Sequence, residues 1–148
     1  MGQEIERKFL VNSETYKEEA FHSYTITQGF LSKDPERTVR IRLKESQAFI
    51  TVKGISTPDG LSRFEWEKEI SLDDAEALLK LCSSDLIEKR RYLVKYDQHI
   101  FEVDEFTGRL RGLVIAEIEL KTENETFKTP SWIGKEVTGN PNFYNSNL

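Results

Sequence analysis

Four pairs of acids recur in this chain with one residue between the members of each pair: Glu4/Glu6, Glu65/Glu67, Glu102/Asp104 and Glu117/Glu119. Bases repeat the same spacing at Arg40, Arg42 and Lys44, and again at Lys89 and Arg91, while Lys53 follows Thr51. A spacing of two places each set on one side of an extended strand, because strand side chains alternate between faces. Apolar residues hold the other side, as in Ile5 and Phe9, Val39, Ile41 and Leu43, Ile50 and Val52, and Phe64 and Trp66. One such strand alone reads as an amphipathic strand with a solvated charged face. The sorting of sign from strand to strand asks for more, since like charges facing each other across strands repel. Gathered carboxylates suit a hard divalent cation with oxygen ligands, Mg²⁺ or Mn²⁺. Gathered Arg and Lys suit an anion, phosphate above all.

The elements that must carry these sets are mostly strands. Period-two alternation predicts strands over 4–11, 24–31, 38–45, 47–53, 61–70, 86–96, 98–106 and 113–122. Turn-forming runs such as Thr57-Pro58-Asp59-Gly60 separate several of them. One helix starts after Ser71, a predicted N-cap with Asp73 and Asp74 in the first turn. Its apolar stripe is Leu72, Ala75, Leu78, Leu79 and Cys82. The stretch from Ser13 to Phe21 allows a second helix. About eight strands with short connections make an antiparallel meander that is open or closed into a barrel. On closure the charged faces line a wet interior, because long Arg, Lys and Glu side chains do not pack as an apolar core. The apolar faces then point outward, and the helix, the C-terminal segment or a second subunit, as in a homodimer, must cover them.

Composition narrows the classes. The chain has 148 residues, of which 37% are hydrophobic and 11% aromatic, enough for one domain over 1–148 with a real core despite 32% charged residues. A net charge of −5 argues against non-specific nucleic-acid binding. No stretch approaches the ~18 apolar residues of a membrane span, and the charged start lacks the apolar stretch of a signal peptide. Cys82 is the only cysteine, which leaves no disulfide framework or cysteine-held metal. These features predict a soluble cytoplasmic protein. His22 and His99 have no partners at ligand spacing. Cys82, Trp66 and Trp132 read as core or interface residues, with Phe30 at the border of the interior.

Glu4-Ile5-Glu6-Arg7-Lys8-Phe9 resembles the Glu-x-Glu-x-Lys signature of the CYTH superfamily, the triphosphate tunnel metalloenzymes. Further segments agree in order: Gln28-Gly29-Phe30-Leu31, Val39-Arg40-Ile41-Arg42, Thr51-Val52-Lys53 and Arg63-Phe64-Glu65-Trp66-Glu67. Lys89-Arg90-Arg91, Glu102-Val103-Asp104, Glu117-Ile118-Glu119 and the run 132–138 complete the series. Length and spacing are similar to those of the short bacterial single-domain members. The resemblance implies an α+β, mainly antiparallel β, fold: an eight-stranded closed barrel with a few flanking helices, holding a triphosphate end-on with one or two divalent metals. It implies metal binding by Glu4, Glu6, Asp104, Glu117 and Glu119, with Glu65 and Glu67 serving a second metal or orienting water. It further implies that Lys8, Arg40, Arg42, Lys53 and Arg91 clamp phosphate oxygens. Lys89 is then placed to activate water if bases crowd it, with Lys8 sharing the catalytic role. The tail departs from the family pattern, because no Lys or Arg follows Lys135.

Hydrolysis of a triphosphate, inorganic tripolyphosphate first, is the activity this set suits. Phosphoryl transfer needs positioning and charge neutralisation more than covalent help. The rivals are a class IV-type adenylate cyclase, a thiamine triphosphatase and a polyphosphate-binding module without turnover. The first two need a nucleoside or aromatic slot that no segment displays. The third does not need so many acids.

Overall fold

The computed structural model describes residues 2–82 and 85–148. Eight antiparallel strands close into a barrel: β1 (Gly2–Val11), β2 (His22–Ser32), β3 (Arg37–Lys44), β4 (Gln47–Ser56), β5 (Ser62–Ile70), β6 (Ile87–Tyr96), β7 (His99–Phe106) and β8 (Val114–Glu119). Their order around the wall is β5-β4-β3-β2-β6-β7-β8-β1, and pairing of β5 with β1 completes the ring. Each sequence-predicted strand is present, although β8 stops at Glu119. A ninth strand that alternation did not indicate, β9 (Ile133–Glu136), adds to the far half of β1.

The helices do little of the building. Helix α2 (Leu72–Leu79) is capped as predicted, with the Ser71 hydroxyl accepting from the Asp74 backbone N–H. Ala75, Leu78, Leu79 and Cys82 seat it on Ile41, Ala48 and Ile50 of the barrel exterior, while Leu72 stays exposed. Gly29 makes this seat, since a Cβ there would stand 2.6 Å from the Leu86 side chain and 2.9 Å from the Cβ of Cys82. Helix α1 (Tyr16–Glu19) is a single turn that buries Tyr16.

Apolar packing lies mainly outside the barrel. Phe9, Val94, Phe101, Val103, Ala116 and Ile118 are covered by Tyr16, Leu120, Phe127 and Trp132, the last from the long C-terminal return. Residues directly paired across strands share a face. Ile41 pairs with Ile50 and Val103 with Ala116 on that outer face, while Arg42 pairs with Gln28 and Glu102 with Glu117 on the inner one. One end of the interior is itself apolar. There Phe30, Ile87, Phe106 and Ile115 pack with Leu110, Leu113, Phe143 and Leu148, so the C-terminal tail stops that end.

Candidate functional site

The barrel holds a cavity of about 230 Å³ lined mostly by charged residues. Arg40, Arg42, Glu65, Glu102 and Glu117 all face it, as the alternation requires. Their distribution follows strand order. Acids dominate the adjoining strands β8, β1 and β5 through Glu117, Glu119, Glu4, Glu6, Glu65 and Glu67. Bases dominate the adjoining strands β3, β2 and β6 through Arg40, Arg42, Lys89 and Arg91, with β2 supplying neutral supports. Strands β4 and β7 are the seams between these walls, and the oppositely charged contacts concentrate there.

At the β4 seam Lys53 Nζ reaches Glu4 at 2.9 Å and Glu65 at 3.5 Å. Burial pushes the Glu4 carboxyl up, but Lys53 outweighs it and the net shift is downward. Glu65 goes the other way, pushed up to about 7 by burial and by the Glu4 charge beside it. Arg40 donates to Thr51, whose hydroxyl donates in turn to Glu67 at 2.7 Å. At the β7 seam Arg91 grips Asp104 through two N–H groups, at 2.7 and 2.9 Å, and reaches Glu102 at 3.2 Å. Lys89 Nζ stands 2.7 Å from the same Asp104.

Asp104, which the resemblance placed among the metal-binding acids, is buried and does not line the cavity, and its oxygens meet Lys89 and Arg91. Those cations hold its carboxyl well below the usual range against the opposing effect of burial. Lys53, expected as a phosphate clamp, rests on carboxylates that a metal would have to share.

The central cations are held differently. Burial, then Arg40 and Arg91, lower Arg42, whose Nε and Nη2 donate to Gln28 Oε1 at 2.9 and 2.7 Å. Gln28 is fully buried and passes its own N–H to Asn145 Oδ1 of the tail. Lys89 donates to that same oxygen at 2.9 Å. Burial brings Lys89 down to about 7, with Arg91 and Arg42 adding to the shift and Asp104 opposing it. Crowding by bases thus acts as expected, but desolvation is the larger cause. Lys8 Nζ lies 3.6 Å from Glu117 and 3.4 Å from the Phe143 carbonyl, above the face of Tyr144.

Sequence reasoning missed Gln28, Tyr144 and Asn145 as parts of this site. Gln28 shares a face with Tyr24, Ile26 and Phe30, so β2 shows no charge alternation to announce it. The face shared with Phe30, itself expected at the border, was the available signal. Phe30 does line the cavity. His22 and His99 remain outside it, paired with Glu45 and Glu125.

A metal is implied by the acid wall, and the donor set fits one. All the donors are carboxylate oxygens, and Glu6 stands directly across from Glu119, one pair along from Lys8 and Glu117. Burial, followed by Glu117 and Glu4, raises the Glu6 carboxyl well above its ordinary value, as expected where acids face one another without a cation. Among the described residues no three acidic, His or Cys side chains already converge on one point. A hard cation held here would complete its coordination with water and phosphate oxygens beside one or two of these carboxylates.

A closed barrel that is charged inside and apolar outside, with acids and bases on opposed walls, defines a class of protein built to hold a highly charged ligand in a tunnel. The CYTH domain model matches residues 2–145, and the chain belongs to that family. It is 48% identical to the inorganic triphosphatase of Acetivibrio thermocellus, a match covering 100% of this chain and 94% of that protein. It is 35% identical to the inorganic triphosphatase of Nitrosomonas europaea, over 98% of this chain and 95% of the other. The crystal structure of the inorganic triphosphatase NE1496 superposes with a TM-score of 0.66 at 30% identity, covering 97% of this chain and 94% of that one.

Proposed function

We propose that this chain hydrolyses inorganic tripolyphosphate with the help of Mg²⁺ or Mn²⁺. The observation that carries the reading is the opposition of a carboxylate wall and a guanidinium wall across one small cavity. A chain of phosphates lying between them meets donors on one side and metal-binding oxygens on the other. At about 230 Å³ the space is below the ~300–1,000 Å³ of pockets for drug-sized ligands. It suits a compact anion better than a nucleoside. The inorganic triphosphatase relatives named above point the same way.

Within this reading Arg42 and Arg40 bind phosphate oxygens, Arg42 being fixed in plane by Gln28. Arg91 is oriented by Asp104 and extends the clamp. Glu4, Glu6, Glu117 and Glu119 would hold the ion, with Glu65 beside them. When bound, the ion neutralises phosphate charge and promotes ionisation of water. Lys89 Nζ, whose hold on its proton is weakened by burial, would hold or give up a proton beside the anion. The apolar stopper at the tail end keeps water from entering there.

Product analysis tests this. Incubation of the protein with tripolyphosphate and Mg²⁺ or Mn²⁺ should release orthophosphate, with kcat/KM above that for ATP, and ATP should yield no cyclic AMP. Cyclic AMP with pyrophosphate from ATP would replace this reading with the cyclase.

A further inference from the structure

The cations facing the cavity differ in what holds them. Lys8, Arg40, Lys53, Lys89 and Arg91 each have a carboxylate within 4.0 Å. Arg42, Lys44 and Arg63 line the same cavity and have none among the described residues; of these Arg63, on β5, lies away from the central clamp, with Glu4 across from it on β1 but beyond ion-pair distance. Its Nε donates to the Gly54 carbonyl at 3.0 Å and its Nη2 to the Thr38 hydroxyl at 3.3 Å. Both acceptors are neutral. They fix the guanidinium in place without cancelling its charge, and the rest of its N–H fork has no acceptor among the described residues.

The strand opposite has been adjusted to put a hydroxyl beside it. Along β4, Thr51 and Lys53 line the cavity, and strict alternation would bring Ile55 inward next. A β-bulge between Lys53 and Ser56 shifts the register instead, so Ser56 stands directly across from Arg63 and lines the cavity while Ile55 is 63% exposed. Bulges re-aim side chains in this way and are common beside binding sites. Among the described residues the Ser56 hydroxyl makes no hydrogen bond. A pre-oriented guanidinium without a counter-ion, next to a free hydroxyl, is a receptor for a phosphoryl group.

We propose that Arg63 and Ser56 form a further phosphate subsite, which binds an end phosphoryl group of the substrate on the tail side of the tunnel and favours chains long enough to reach it. The proposal rests on the triphosphatase reading. The subsite lies beside the rim where Gly60 of the β4–β5 turn meets Gly139. It is therefore separate from the central clamp of Arg40 and Arg42.

The test compares Arg63→Gln, Arg63→Lys and Ser56→Ala with the unsubstituted protein on tripolyphosphate and Mg²⁺. Loss of one charge-assisted contact to a phosphate should raise KM about tenfold in Arg63→Gln. kcat should stay within about threefold, and Arg63→Lys should recover part of the loss. Ser56→Ala should move KM in the same direction by less. An unchanged KM in Arg63→Gln overturns the subsite, and so does a fall in kcat at constant KM. Calorimetric binding of tripolyphosphate to the same proteins keeps this separate from the activity. If the unsubstituted protein releases no phosphate, the triphosphatase reading fails. Weaker binding by Arg63→Gln would still support the subsite, and equal binding would overturn it.

Discussion

The two walls of the tunnel carry opposite charge and are stabilised by opposite means. The basic wall is largely supported within the protein: Gln28 holds Arg42, Asp104 holds Lys89 and Arg91, and both supports are almost entirely buried, while the buried Nε of Arg40 has no partner among the described residues. The acidic wall is unfinished. Glu6 and Glu119 face each other, Glu65 is pushed up to about 7, and Lys53, Lys8 and Arg40 relieve the crowding only at Glu4, Glu65, Glu117 and Glu67. The bases are thus pre-arranged for an anion, which needs geometry, whereas the acids are left in mutual repulsion, which a cation relieves. The difference teaches that a rigid half and a frustrated half can share one barrel, each matched to the charge of what it binds.

The largest expected effects come from breaking the walls one at a time. Glu6→Gln should lower kcat roughly a hundredfold or more and raise the Mg²⁺ concentration for half-activity. Arg42→Gln should raise KM for tripolyphosphate and leave the metal requirement where it was. Phosphate-release assays across a metal titration check both, with circular dichroism as the control for folding. Identical metal curves for the two variants would end the division of labour.

A smaller effect, on stability, tests how far the basic wall depends on Asp104. Asp104→Asn leaves two buried cations without their partner and should cost about 3–5 kcal/mol, read by chemical denaturation. The pH dependence follows from the shifts. Asp104 lies below its ordinary value of 3.8, so its contribution is present above that value and is lost on acidification through the folded one. Lys89 lies near 7 rather than 10.5, so the unfolded chain binds more protons between these values. Stability of the metal-free protein should therefore rise with pH across that window, and Lys89→Met should remove the rise.

The smallest effect belongs outside the barrel. Arg7 shares β1 with Glu6 and Lys8 but points outward to Glu136, in a partly exposed pair. Arg7→Gln should change stability by less than about 1 kcal/mol and leave the kinetics unaltered. A loss of activity would mean that the inner and outer faces of β1 are not independent.

Much of this was legible in the sequence because sign alternation survives translation into a barrel. Glu4-x-Glu6-x-Lys8 and Arg40-x-Arg42 specify their faces by parity alone. The seams were not legible, since the pairing of Asp104 with Lys89 and Arg91 depends on which strand lies beside β7. The bulge before Ser56 was hidden for a related reason, because it reverses parity within a run that reads as regular. Strand β9, Ile133-Gly134-Lys135-Glu136, is too short to show alternation and exists because β1 offers it an edge.

Closure of the ring through β1 also orders events in time. Strand β1 leaves the ribosome before its partners and pairs with β5, about sixty residues on, and with β8 and β9, more than a hundred residues on. Such distant pairings fold slowly, because the intervening chain must be ordered before they form. Strands β2 to β5 and the β6–β7 hairpin pair with near neighbours and can assemble as synthesis proceeds. Glu4, Glu6 and Lys8 must wait. A growing chain therefore has most of its basic wall before β1 finds its C-terminal partners, and β1 is exposed to aggregation until β8 and β9 have been made.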